Sequence, residues 1–394
     1  MDLRDSPAEA TFRAQVRAWL EESVPPGYDP DDWEWRLPAD ERFRLQLAWH
    51  RKLHAGGWVG LSWPKEYGGQ GAPVALQLIF AEESARLRLP RGVCIIGLSI
   101  VGPTLAHVGS EEQKRRYLPP LLSGDEIWCQ GFSEPDAGSD LASLRTRAED
   151  RGDHFVVTGQ KVWTSFAQHA RWCWLLARTR SESRKHDGLS MMVVDMRAPG
   201  VEVRPLVQLT GDSDFNEIFF DGARVPKENL VGAQDDGWRV AVATLMFERY
   251  GIGLDLRKEW LLRRLGELAR ETGRVGDAEV RTRLAKLWCD YEACRLTTFR
   301  HMTRLGRGEA AGQPGPEGSL SKLVSSEIEL EVGALAQEML GLAGTIAPGQ
   351  AGAPDGGRWA RVALGSRYMT IAGGTSEIQR NIIAERVLGL PKGR

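Results

Sequence analysis

Apolar positions recur at helical spacing through the first third of the chain. Phe12, Val16 and Leu20 fall on one face of the segment 11–22, and 43–53 and 75–85 repeat the same period. Between the last two lies WVGLSWPKEYGGQG, a Trp/Gly/Pro loop. The texture changes at Cys129. DHFVVTGQKVWTS reads as a hairpin turning at Thr158-Gly159, and RWCWLLART, GLSMMVVDM and NEIFFDGARV read as further strands of a compact β domain over 129–233. From Gly237 the helical period returns in 238–272, 279–305 and 320–340, each longer than about 20 residues, as bundle helices are. The Gly/Pro-rich stretches 307–319 and 345–357 read as mobile loops, and no internal repeat is present. The predicted order is helices, a β domain, then a helical bundle.

Composition narrows the class without changing this picture. The 394 residues are 42% hydrophobic and 26% charged with a net charge of −2, which is a globular balance. No Lys/Arg tract stands apart from neighbouring acids, which argues against nucleic-acid binding. The segment 92–110 is uncharged, but four glycines, Pro103 and His107 make it a buried helix broken near Pro103 rather than a membrane span. The first twenty residues lack the apolar stretch of a signal peptide, and Asp2, Asp5 and Glu9 argue against a transit peptide. Five scattered cysteines, odd in number and without a CxxC, fit reduced thiols in a cytoplasmic protein.

Several chemistries lack their signatures. There is no GxGxxG after a strand, no GK[ST] phosphate loop and no GxSxG elbow. His50 and His54 are spaced to share a helix face, yet no third ligand accompanies them, so they read as surface histidines and no metal site is expected.

Two segments suit a site. CQGFSEPDAGSDLASLRT (129–146) is dense in turn formers after a strand-like run, and reads equally as an ordinary capped loop or a binding loop. In GQKVWTSFAQHARW, the indole of Trp163 beside the hydroxyls of Thr164 and Ser165 suits a flat heteroaromatic ring; a core tryptophan is the alternative. IAGGTSEIQR (371–380) joins two glycines to a helix start that Thr375 or Ser376 would cap, where open N–H groups favour an anion.

GFSEPDAGSD, GDHFVVTGQKVWTS, FNEIFFDGARVPKENLVG and IAGGTSEIQRNIIAERVLGLP together resemble the acyl-CoA dehydrogenase family, in its order and at its spacing. The resemblance covers essentially the whole chain. It implies an α+β multidomain fold: an N-terminal α-helical domain (1–128), a middle antiparallel β domain (129–233) and a C-terminal four-helix bundle (234–394). It also implies FAD between the β domain and the bundle, with an acyl-CoA thioester on one face of the flavin. By motif matching, Gln130, Phe132 and Ser133 line the flavin ring, Ser139 reaches the phosphate or CoA region, Trp163 covers the ring and Ser165 bonds near flavin N5. Thr375 and Glu377 match positions on the diphosphate and adenosine half, and Gly373 and Gly374 lie against the substrate. Arg270 and Thr272 match the family's RxTFG element, which reaches a neighbouring subunit's flavin, but the aromatic is lost here. Glu338 stands where the family has Gln before its LGG element, with Leu342 for the second glycine. Both departures put the cross-subunit half of the FAD site in question.

Desaturation of a thioester needs a base for the α proton and hydrogen-bond donors for the enolate oxygen. Many family members carry the base glutamate immediately before the GT pair; here that position is Gly373. The isovaleryl- and long-chain-type branch carries it on the first long helix of the C-terminal domain, as a Glu-Arg after an apolar run. FERYG supplies Glu248 and Arg249. In isolation the pair reads as a solvated helix face, but Val240, Leu245, Met246 and Phe247 make the surroundings apolar. The resemblance therefore implies an FAD-dependent acyl-CoA dehydrogenase forming a trans-2-enoyl-CoA, with Glu248 as base and Arg249 orienting it or the ligand. An electron-transfer flavoprotein is the implied acceptor. The expected assembly is a homo-oligomer (tetramer or dimer) or a heteromer with a related subunit. The rivals are a non-catalytic or half-site subunit of a heteromeric dehydrogenase, and a flavin oxidase or monooxygenase on the same fold.

Overall fold

The computed structural model describes residues 4–31, 37–90, 92–181, 185–253, 256–307 and 315–392, without the side chains of 249–253, 305 and 306. The chain forms two compact units, one of 43–71 with 91–248 and the other of 1–42, 72–90 and 249–394. The helices of the first third contribute to both units.

The unit of 43–71 and 91–248 is built on an eight-stranded sheet. Its strands are β1 (Trp128–Gly131), β2 (Arg147–Asp150), β3 (His154–Ser165), β4 (Trp172–Arg178), β5 (Leu189–Asp195), β6 (Val201–Leu206), β7 (Phe215–Pro226) and β8 (Leu230–Val231). They follow the order β6-β7-β3-β2-β4-β5-β8, with β1 added to β4. Pairing is antiparallel except that β1 runs parallel to β4, as β2 does at a single residue pair, so the sheet is mixed at this point. β4 and β5 are continuous apolar runs because both faces are covered. Trp172, Trp174, Leu176, Met191 and Val193 enter one core, while Cys173, Leu175, Ala177, Met192 and Val194 enter another.

The first core is closed by helical residues, among them Leu105 of α4 (Gly102–Val108) and Leu118, Leu121 and Leu122 of α5 (Glu111–Ser123). The uncharged segment does not break at Pro103: the helix runs unbroken from Ile95 to Val108, with a π turn over Gly97–Val101 leading directly into α4 and Pro103. Two further expectations need correction. The hairpin does not turn at Thr158-Gly159; β3 runs straight through and pairs with β7, and the turn lies at 151–153 between β2 and β3. Gly159 is required instead by close packing, since a Cβ there would come within 2.5 Å of the Thr146 hydroxyl. Nor is His50 a surface residue. It is buried, with Nε2 2.9 Å from the Leu122 carbonyl, and burial lowers its pKa.

The other unit holds α1 (Pro7–Ser23), α3 (Val74–Arg86) and the C-terminal helices. A capping box at Ser6 and Glu9 starts α1. The bundle consists of α7 (Lys258–Glu271), α8 (Ala278–Gly306), α9 (Gly318–Leu340) and α10 (Arg358–Met369), packed around Leu262, Leu265, Leu287, Ile328, Val332, Leu335 and Trp359. The helix expected over 238–272 is two, α6 (Gly237–Gly253) and α7. Gly251 and Gly253 weaken the helix where it divides. The stretch 345–357 is a run of turns and bends between a 3₁₀ segment ending at Thr345 and a short one at Pro354–Gly357, while 308–314 of the other expected loop lie outside the described residues. The helix over 39–55 is α2 (Ala39–Ala55), and the last is α11 (Ser376–Ile382). Among the described residues no helix is long and apolar enough to cross a membrane, and no cluster of His, Cys, Asp or Glu could hold a metal. Cys94, Cys129, Cys173 and Cys294 are buried thiols and Cys289 is exposed.

Candidate active site

In the sheet unit, the chain leaves β1 at Gly131 and enters the turn Phe132–Ser133–Glu134–Pro135. Three successive carbonyls of this turn are satisfied from inside the protein. Phe132 O accepts from the Lys161 ammonium at 2.9 Å, Ser133 O from Val162 N–H at 2.9 Å and Glu134 O from Ala137 N–H at 3.1 Å. The turn is thereby bound to β3 at Lys161 and Val162, the residues just before Trp163. Gln130 is half-buried on β1 opposite Trp174, and Ser139 is exposed further along the loop.

The Glu134 carboxylate anchors the turn from beneath. Oε2 accepts from Arg145 N–H at 2.6 Å, and Oε1 accepts from Thr146 N–H at 2.8 Å and from Lys161 Nζ at 2.9 Å. Burial would raise its pKa, but the charge of Lys161 and these hydrogen bonds hold it below the ordinary value. Glu134 and Lys161 were not singled out from sequence as site residues, although both lie inside the quoted segments. A lysine among the apolar residues of VVTGQKVW was the available signal.

Trp163 is 62% exposed and holds φ at +59°, in the left-handed region that few non-glycine residues adopt. It sits at the register shift between Lys161 and Thr164, with its ring edge-on to Phe215 at 6.3 Å. It is therefore no core tryptophan. Backbone strain that presents an indole outward is a feature of ligand sites. Next to it, the Thr164 hydroxyl is buried without a hydrogen-bond partner.

Helix α6 is anchored in the same unit by Val240 and Ala241, which enter the first core, and by Thr244, whose hydroxyl accepts from Trp174 Nε1 at 3.2 Å. Glu248 follows Thr244 by four residues, on the same helix face, and is half-buried. The side chain of Arg249 lies outside the described residues.

In the bundle unit, Gly373 and Gly374 both take positive φ, 66° and 95°. Gln379 Nε2 donates to Gly373 O at 2.8 Å, and the buried Lys322 ammonium donates to Gly374 O at 2.8 Å. Thr375 caps α11, accepting from Ile378 N–H at 3.2 Å, while Ser376 Oγ donates to Glu327 at 2.7 Å. Glu377 is exposed and 3.6 Å from Arg380. A Cβ at Gly374 would come within 2.6 Å of Gln379 Nε2, and Gln379 Oε1 is buried without a partner. Arg270 is exposed at the end of α7, and the Thr272 hydroxyl donates back to Leu268 O at 2.8 Å. Glu338 is ion-paired with Arg283 and lies 3.8 Å from Arg274, so its charge is already met within the chain.

In the sheet unit, a strained, outward indole suits a flat ring such as a flavin, and a turn whose Phe132, Ser133 and Glu134 carbonyls are engaged within the protein suits an acceptor-rich ring edge. In the bundle unit, the glycine turn by itself admits close backbone approach to a ligand. The comparisons with known proteins agree. Three profiles match in succession: acyl-CoA dehydrogenase N-terminal domain over 6–125, middle domain over 129–223 and C-terminal domain over 235–388. Acyl-CoA dehydrogenase IpdE1 of Mycobacterium tuberculosis is 43% identical over 396 aligned positions, covering 97% of each chain. The solved ChsE4-ChsE5 complex from the same organism has a chain 33% identical, with a TM-score of 0.84 and 100% of both chains covered. The Tcur3481-Tcur3483 steroid ACAD gives 34% identity and a TM-score of 0.83, again over 100% of both chains. With the helices, sheet and bundle in family order and the match running nearly end to end, the chain belongs to the acyl-CoA dehydrogenase family.

Proposed function

We propose that this oxidoreductase carries out the FAD-dependent α,β-dehydrogenation of an acyl-CoA thioester to a trans-2-enoyl-CoA, with Glu248 as the base. The observation that carries the assignment is the contrast between two positions. The Gly373–Gly374 turn offers backbone only, with its carbonyls bound to Gln379 and Lys322, whereas Glu248 supplies a half-buried carboxylate on α6 after an apolar run. The Glu248 carboxylate takes the α proton, and backbone N–H near Gly373 donates to the enolate oxygen that develops. Bound FAD would supply the acceptor for the β hydride. Gln130, Phe132, Ser133, Trp163 and Ser165 would hold its ring, and Thr375 and Glu377 its diphosphate and adenosine half. Ser139, Arg249, Gly373 and Gly374 would line the thioester side. An electron-transfer flavoprotein would accept the electrons. Glu248→Gln is expected to retain FAD and lose bleaching of the flavin by acyl-CoA; undiminished bleaching removes Glu248 from the role.

A second reading concerns assembly. The relatives above include two solved complexes named for two different chains, one of them a steroid dehydrogenase. In this chain Glu338 is neutralised by arginines of its own bundle and Leu342 is 90% exposed, in the element that the family uses across subunits. Both support a subunit that completes its flavin site with a related partner, and the likeness to the steroid ACAD supports a bulky, steroid-like acyl-CoA as substrate. Arg270 and Thr272 would then contribute to the partner's half. A yellow homo-oligomer after purification contradicts this; a colourless chain that gains FAD only with a second chain supports it.

A further inference from the structure

Lys161 lies on β3 with no exposed side-chain surface, beneath the turn 132–134. A lysine so placed is unfavourable unless its charge is met, and an apolar residue would fill the same space at less cost. Its ammonium is met twice, by the Phe132 carbonyl and by Glu134 Oε1, each at 2.9 Å. Glu134 is itself fixed by the Arg145 and Thr146 N–H groups. Desolvation lowers the pKa of Lys161 and the Glu134 carboxylate opposes that shift. The pair therefore locks one particular peptide, the one between Phe132 and Ser133.

A peptide is a planar conjugated unit, so a cation on its carbonyl draws charge through it and strengthens the N–H at its other end. That N–H belongs to Ser133. The next two carbonyls accept from Val162 and Ala137 and the Glu134 N–H is spent on the Ala137 carbonyl, so the Phe132–Ser133 peptide is the one whose acceptor is turned into the protein and whose donor is Ser133 N–H. The pyrimidine edge of a flavin is rich in acceptors and gains negative charge when the ring is reduced.

We propose that Lys161, held by Glu134, is a positioning residue that polarises the Phe132–Ser133 peptide toward the flavin's pyrimidine edge, so that it tightens FAD binding and favours the reduced ring. The proposal rests on the flavin reading given above. Its test is the double variant Lys161→Met with Glu134→Gln, which removes the ammonium and leaves no unpaired charge. Three quantities are read on the purified protein: the thermal midpoint without FAD, the dissociation constant for FAD by fluorescence titration, and the flavin midpoint potential. The double variant is expected to stay folded near the parent midpoint, to bind FAD roughly ten-fold more weakly, the loss of about one charge-assisted hydrogen bond, and to show a more negative potential. Parent-like affinity and potential overturn the proposal, and so does a double variant that fails to fold, because the pair then serves the fold and not the turn. A parent chain that takes up no FAD, alone or with a related subunit, overturns the flavin reading itself, and that is seen before any variant is compared.

Discussion

Lys161 and Lys322 are both fully buried, and each donates to a backbone carbonyl in a turn of its own unit, Phe132 in one and Gly374 in the other. Removing the second ammonium by Lys322→Met should loosen the Gly373–Gly374 turn and lower stability by about 1–3 kcal/mol, read as a shift in the urea midpoint. Glu83 shows what buried charge does far from chemistry. It is 3% exposed; burial alone would raise its pKa, but bonds from Arg17, Arg86 and Arg13 bring it down to about 2. A carboxylate with a lowered folded pKa stabilises above its ordinary value of 4.5 and loses that contribution as pH falls toward 2. Glu83→Gln should therefore cost roughly 3 kcal/mol at pH 7, and the gap to the parent should close progressively below about pH 4.5. Denaturant titrations at pH 7 and pH 3 measure both. Such partnerships were not legible in the sequence. Glu134 stands in a quoted loop, but its partner is 27 residues away and becomes a neighbour only when β1, paired with β4, packs close to β3.

At the scale of elements, periodicity placed α1, α2, α3, α8 and α9 to within a few residues, because each carries an apolar stripe several turns long. It failed where glycine has two meanings. Thr158-Gly159 looks like a turn and is a continuous strand kept clear for Thr146, with a register shift against β7 just before it, whereas Gly251 and Gly253 sit where one expected helix becomes two. Gly333 in α9 has a third use. A Cβ there would lie 2.8 Å from the Ala363 backbone of α10, so the two helices approach over a glycine. Gly333→Ala gains helix propensity but collides with backbone that cannot rotate away, and the collision should win. A loss of about 1–3 kcal/mol is expected in chemical denaturation.

For the whole molecule, family membership and fold order were readable, since the motifs that carry them are short and contiguous. Assembly was not, because it depends on which surfaces stay apolar after folding. Leu364, Tyr368 and Ile371 recur at helical spacing along and just beyond α10 and remain exposed, as do Leu388 and Leu390. Tyr368→Glu should therefore convert a larger species to a smaller one by light scattering, while a parent that is already a monomer contradicts the assembly. The central claim is that Glu248, and no group of the Gly373 turn, takes the α proton. The most direct measurement is anaerobic bleaching of the flavin across a panel of acyl-CoA thioesters, steroid-like ones included, in parent and Glu248→Gln proteins that retain FAD. The parent should bleach with at least one thioester and the variant with none. Equal bleaching of both would contradict the account.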